Sequence, residues 1–367
     1  MLRMVEVPIP PTRIQTRPLF TSHRKAKIRT RVISKWGNCS SPAFSSSSFS
    51  DNFCQTLGGQ VKKKSLDKVQ GKAKKRVFFL DVNPLCYAGS SPSLHSFGYW
   101  VDLFFNQVSL SDPVIAVLDG ERGSEQRRQL LPSYKAHRWK FSRQFSRGHV
   151  GRAHRIITDV LGKCNVPVLR FEGHEADDVV ATLAEQALRK GHKVVVASPD
   201  KDFKQLLSED VQMVMPLAEL SRWSFYTLKH YEAQYNCDPH CDLSLRCILG
   251  DEADGVPGIQ HVAPGFGRKT ALKLLKKHGS LEELLSTAAV RTVGKRYAQD
   301  ALVEHADYLR RNYQVLALRR DVNVELQEEW LVERDRKNDS IVLSGFLKML
   351  DGTKKCGQHN GHTLCKG

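Results

Sequence analysis

RVFFLDV, residues 76–82, is where this 367-residue chain changes character. An unbroken apolar run, Val77 to Leu80, ends in an acid, Asp81. Such a run is too apolar for a strand with one wet face and reads as a strand buried on both. The same pattern returns downstream in VIAVLDG (114–120), VPVLRFEG (166–173), KVVVASPD (193–200) and VQMVM (211–215). Helical patterns separate these runs. Between Glu175 and Lys190, Ala176, Val179, Val180, Leu183, Ala184, Ala187 and Leu188 share one face, and Gly191 supplies the stop. Strands alternating with helices predict an α/β domain with a mostly parallel sheet flanked by helices, over residues 76–216. From about Leu217 the strand signals stop. Helices are predicted over Arg268–His278 and Ser280–Leu285, on either side of Gly279, within a helical unit of residues 217–330. Residues 331–367 read as a loose polar extension.

Upstream of Arg76 the composition differs. The whole chain carries 56 Lys and Arg against 39 Asp and Glu, a net charge of +17. Residues 1–75 hold 16 of those bases and three acids, Glu6, Asp51 and Asp67, which is +13 and leaves +4 for the rest. The segment is Arg-rich, acid-poor and Ser-rich, with FSSSSFS from Phe44, and it lacks the apolar core of a secretory signal. It reads as a transit peptide for a mitochondrion or chloroplast, followed by a basic linker up to residue 75. A disordered basic tail that grips nucleic acid is the other reading. No run approaches the roughly 18 apolar residues of a membrane helix, so no membrane is expected. The nine cysteines show no disulfide spacing.

In open α/β sheets, ligands bind beyond the carboxyl ends of the strands. Acids stand at such places five times: Asp81; Asp119; Glu175 with Asp177 and Asp178; Asp200 with Asp202; and Asp251 with Asp254. Each alone could be a helix cap or a solvated strand end. Gathered on one rim they would repel one another unless cations neutralised them. Oxygen ligands without neighbouring Cys or His favour Mg²⁺ or Mn²⁺ over zinc. Two such ions about 3.5–4 Å apart activate water and stabilise a leaving oxygen in phosphodiester cleavage.

Between Arg122 and Arg155 stand ten basic residues and one acid, with Tyr134, Trp139, Phe141 and Phe145 interleaved. Bases that contact phosphates and aromatic rings that stack on unpaired bases make this a candidate single-strand track. A solvated helical face is the plainer alternative.

At this point the residues resemble the 5′-3′ exonuclease and flap endonuclease superfamily, nearest the exonuclease domain of bacterial DNA polymerase I. The matching pieces are FFLDVN at Phe78, VLDGE at Val117, RRQLLPSYKAHR at Arg127, GHEADDVVATLA at Gly173, SPDKDFKQLL at Ser198, ILGDEADGVPG at Ile248 and PGFGRKTALKLLKKHGSLEELL at Pro264. The resemblance implies a PIN-like (resolvase-like) catalytic domain, a basic helical arch over about 122–155 and a helix-two-turns-helix subdomain. It implies that Asp81, Asp119, Glu175 and Asp177 hold one ion, with Asp178, Asp200, Asp202, Asp251 and Asp254 nearer the second. It makes Lys135, assisted by Arg138, the arch residue that reaches the scissile phosphate. Arg127 and Arg128 become phosphate contacts, and Tyr134 a stacking platform for the displaced base. Gly265, Gly267, Lys269 and Thr270 would anchor duplex DNA at a helix N-terminus, with K⁺ held by turn carbonyls.

The implied activity is a two-metal 5′-3′ exonuclease with flap-cleaving ability, acting on DNA with 5′ flaps or ends and on RNA–DNA primers in organellar replication and repair. A stand-alone monomer is expected, with an organellar DNA polymerase as a partner. Two other classes compete: a PIN-class RNA nuclease and a non-catalytic branched-DNA binding module. Three departures from the family pattern stand out: Gly255 where Asn is usual, Pro199 where Gly is common, and four extra residues, Gln260–Ala263, before the anchor. The C-terminal Cys356, His359, His362 and Cys365 match no common zinc spacing and read as a flexible tail.

Overall fold

The computed structural model describes residues 74–89, 91–137 and 147–359. Its central sheet has six strands: β1 (Arg76–Asp81), β2 (Val114–Leu118), β3 (Val168–Arg170), β4 (Lys193–Ala197), β5 (Val211–Leu217) and β6 (Arg222–Tyr226). The order is β3-β2-β1-β4-β5-β6, parallel throughout except for β6, which runs antiparallel at one edge. The five parallel strands are the five apolar runs of the sequence. β6 is a correction: its sequence, RWSFY, lies past the point where strand signals were read as ending. Only Trp223 and Tyr226 are buried there, so an edge strand without an apolar run folds because β5 supplies its hydrogen-bond partner.

β1 shows why the sheet is covered on both faces. Phe78 and Leu80 enter one core layer, with helix α1 (Leu94–Phe104), helix α3 (Arg147–Lys163) and Val195 of β4; Val77 and Phe79 enter the other, beneath helix α4 (Ala176–Arg189). α2 (Glu125–Leu130) lies between β2 and α3. A third core belongs to the helical part: α5 (Leu228–Tyr235) leads into it, followed by α6 (His240–Leu249), α7 (Arg268–His278), α8 (Leu281–Val290), α9 (Arg296–Glu304) and α10 (Ala306–Leu316). Ser280 caps α8 in a reciprocal box with Glu283, which explains why that helix starts directly after Gly279.

Two further findings correct the reading of the C-terminal region. After α10 the chain returns to the sheet, where Leu318, Val322 and Leu326 join the layer under α4. Residues 336–359 form helix α11 (Arg336–His359), not a loose extension. Leu343 and Phe346 are buried against α1. The polar sequence concealed a buried pair: Arg334 bonds Asp339, Ser109 Oγ and the carbonyls of Leu110 and Asp112. Residues 1–73, the arch residues 138–146 (including Arg138, Trp139, Phe141 and Phe145) and the tail with His362 and Cys365 lie outside the described residues. Among the described residues no helix is long and apolar enough to cross a membrane.

Candidate metal centre and nucleic-acid interface

All five parallel strands point their carboxyl ends at the same edge, so the acids that follow them meet there. Asp81, last in β1, accepts from Ser198 Oγ just beyond β4, at 2.8 Å. Asp119 follows β2 and caps α4, accepting from the Ala176 amide at 2.8 Å. Glu175 is the residue before α4, and Asp177 and Asp178 lie in its first turn. Asp200 accepts from the Asp202 amide at 2.9 Å. Asp251 begins the tight turn that contains Asp254.

Several of the acids lie close enough to perturb one another. Burial pushes the Asp81 carboxyl up to about 8, with help from the charges of Asp119 and Asp200. Asp119 is exposed as a residue, but desolvation by the protein around its carboxylate raises it, and the charge of Glu175 adds to this. Asp177 and Asp202 are raised well above the carboxylate range by burial and acidic neighbours. Glu175 goes the other way: against the effect of burial, Lys135 and Arg127 hold it low. Asp251 is likewise held low by Lys201 and Arg246 despite burial.

Asp202, Asp251 and Asp254 are all buried, and each offers a carboxylate oxygen within 4.8 Å of the others. Three hard oxygen donors at that spacing fit a divalent cation. At the other end Asp178 Oδ1 accepts from Arg127 Nη2 at 2.6 Å and from the Arg319 amide at 2.8 Å, so it ties the returning chain to α4.

The basic segment divides into interior and surface. Arg127, expected as a phosphate contact, is buried, and it bonds Glu175 Oε2, Asp178 and the Ala317 carbonyl. Tyr134, expected to stack on a base, is 1% exposed and donates to Glu175 Oε2 at 2.9 Å. Neither face is open to a nucleotide. Lys135 Nζ instead takes the other oxygen, Glu175 Oε1, at 2.7 Å. Its charge is secure, because Glu175, Tyr134 and Asp177 raise the ammonium well above its ordinary value despite burial. Lys135 is also fixed through its backbone: it sits at φ +50° and its amide donates to the Asp254 carbonyl at 2.8 Å. Arg128 is half-buried and donates to Ser124 Oγ at 2.7 Å.

At the anchor, Gly265 has φ +94° and Gly267 precedes α7. Lys269 is exposed, while Thr270 Oγ1 meets Tyr297 OH at 2.9 Å. Of the extra residues before it, Gln260 and His261 fall in a short helical turn, Ile259–His261, and Val262 and Ala263 follow it. Ser198, Lys201 and Arg246 join the site without a sequence signal of their own; Ser198 and Lys201 stand within the SPDKDF motif, Arg246 in none.

Family models for the 5′-3′ exonuclease match this chain twice: the N-terminal resolvase-like domain over residues 93–236 and the C-terminal SAM fold over 238–339. The chain belongs to the 5′-3′ exonuclease family. A 5′-3′ exonuclease of Aquifex aeolicus is 32% identical over 203 residues, 53% of this chain and 65% of the relative. DNA polymerase I of Mycobacterium tuberculosis is 36% identical over 247 residues. That match takes in 62% of this chain but 26% of the polymerase, so this family member spans about a quarter of that relative's length. The fold matches solved structures of a bacteriophage T5 exonuclease. One was co-crystallised with metal ions (TM-score 0.54, 22% identity, 66% of this chain and 90% of that one). Another has zinc bound (TM-score 0.54, 20% identity, 74% and 99%).

Proposed function

We propose that this chain is a divalent-metal-dependent 5′-3′ exonuclease with flap endonuclease activity on DNA or RNA-primed DNA. The observation that carries the reading is the buried trio Asp202, Asp251 and Asp254 at the carboxyl edge of the sheet, together with Asp81, Asp119, Asp200, Glu175 and Asp177. Two Mg²⁺ or Mn²⁺ ions held there would supply the charge that activates water and stabilises the leaving oxygen.

The chain's own groups do the rest. Lys135 carries a secure positive charge beside Glu175, and a phosphate arriving there competes with Glu175 for it. Arg127 and Tyr134 both grip Glu175 Oε2, so the carboxylate keeps its place when Lys135 leaves Oε1. Arg138 assists from the arch. The amides at the start of α7, with Gly265, Gly267, Lys269 and Thr270, hold a duplex phosphate without reading sequence, and turn carbonyls there suit K⁺. Residues 1–75 direct the enzyme to a mitochondrion or chloroplast, where it works in replication and repair as a monomer beside a DNA polymerase.

The test is a 5′-flap duplex incubated with Mg²⁺. Wild type should release the flap, Asp202→Ala should not, and Lys135→Ala should lose turnover by roughly 10²-fold or more. Binding without cleavage by wild type would leave a branched-DNA binding module, and cleavage of single-stranded RNA alone would leave a PIN-class RNA nuclease. A fluorescent fusion of residues 1–75 that stays in the cytosol or nucleus would remove the organellar assignment.

A further inference from the structure

Among the described residues two arginines are buried, Arg334 and Arg127, and a third, Arg246, keeps its side chain only 11% exposed; their bonding differs. Arg334 uses all three guanidinium nitrogens, on Asp112, Asp339, Ser109 and Leu110. Arg127 uses both terminal nitrogens, on Glu175, Asp178 and Ala317. Arg246 uses one. Its Nη2 lies 2.6 Å from Asp202 Oδ1 and 2.6 Å from Asp251 Oδ2, while Nε and Nη1 are buried with no protein hydrogen-bond partner. A buried donor left unpaired costs stability, so a guanidinium with only a structural task would be satisfied as the other two are. The two acceptors that Arg246 does hold are two of the three carboxylates close enough together to share a cation. Lys201 Nζ takes the remaining oxygen of Asp251 at 2.6 Å, from a side chain that is 47% exposed.

We propose that Arg246 is a built-in counter-cation: it occupies the Asp202–Asp251–Asp254 group in the free protein, and it sets how tightly that group takes a divalent ion. The inference rests on the metal-dependent reading above and names the residue that regulates the site. Its physical basis is competition. One positive charge is already bonded to two of the acids, so an incoming ion must displace Nη2 or share the carboxylates with it at close range. Arg246 therefore keeps the acidic group foldable without metal and weakens its hold on one metal ion. Lys201 does the same to a smaller degree, because solvent screens it. Arg246 is a positioning residue, acting through the carboxylates it holds.

The experiment titrates the full chain with Mn²⁺ and counts free ion by electron paramagnetic resonance, alongside melting in chelator and in Mn²⁺. Arg246→Met should bind Mn²⁺ at least about tenfold tighter than wild type. It should melt below wild type in chelator, and the gap should close or reverse when Mn²⁺ is added, which loss of a merely structural bond would not do. Arg246→Lys should stay near wild type, and Lys201→Met should tighten binding slightly. Should Arg246→Met fail to fold, Arg246→Gln, which keeps hydrogen bonding without the charge, must show the same tightening. Wild-type binding that no Arg246 variant tightens overturns the proposal alone. No Mn²⁺ uptake by wild type or any variant overturns the metal reading and the proposal with it.

Discussion

Gly255 stands at φ +69°, and a Cβ built on it would lie 2.3 Å from the Ser133 carbonyl oxygen. Ser133 Oγ in turn donates to the Gly255 carbonyl at 2.7 Å, two residues before Lys135, whose amide bonds Asp254. The acidic turn and the base of the arch are thus stitched backbone to backbone, and only glycine permits the approach. Gly255→Ala should cost about 1–3 kcal/mol in a urea melt. It should also slow single-turnover flap cleavage by roughly tenfold or more, because Lys135 moves with Ser133. Wild-type cleavage by this variant would detach Lys135 from the turn. The sequence displayed Gly255 as a departure from the family's Asn but hid its cause, since Ser133 is 122 residues away. Arg127 and Tyr134 were hidden in the same way. A local window shows bases and aromatics; their burial is decided by Glu175, 48 and 41 residues downstream.

Elements differ in how openly the sequence announces them. The parallel strands and α4 were legible because burial on both faces, or one apolar helical stripe, leaves a dense periodic trace. α7 was legible over its whole span, Arg268–His278. α8 continues to Val290, beyond the expected Leu285, because Leu284, Leu285 and Ala288 are all buried in the helical core. α11 carried a trace too, in Leu343, Phe346 and Leu350, but Lys, Asp and Ser between them made it read as solvent-exposed chain. It packs on α1 and α3, and Asn338 Nδ2 caps α3 through the Lys163 carbonyl at 2.7 Å. Leu343→Ala should therefore destabilise the protein by about 2–5 kcal/mol, as a buried leucine does and a tail residue does not. Thermal or urea unfolding measures this; a change within about 0.5 kcal/mol would return α11 to the status of an appendage.

For the molecule as a whole, the net charge of +17 conceals an acidic cleft whose cost of ionisation is a property of the entire fold. Asp81 sits near 8 in the folded protein and near 3.8 when unfolded. Between those values the folded state keeps a proton that the unfolded chain has released, so stability falls as pH rises. Asp119, Asp177 and Asp202 are raised and act in the same direction. Glu175 and Asp251 are lowered, and their stabilisation is lost only below the ordinary carboxylate range, outside this window. His154, lowered by burial and Arg170, and His278, lowered by burial, Lys277 and Arg291, oppose the trend. In chelator, the melting temperature should drop between pH 5.5 and 8, by an amount corresponding to a few kcal/mol. Asp81→Asn, neutral throughout, should flatten part of that slope and melt above wild type at pH 8. Mg²⁺ or Mn²⁺ should restore wild type at pH 8 far more than at pH 5.5, since only ionised carboxylates hold the ions. A melting temperature that rises across the window in chelator, or one that divalent ions leave unchanged at pH 8, would separate the buried acids from metal binding. The cleft would then be a structural feature, and its resemblance to a nuclease centre would carry no chemistry.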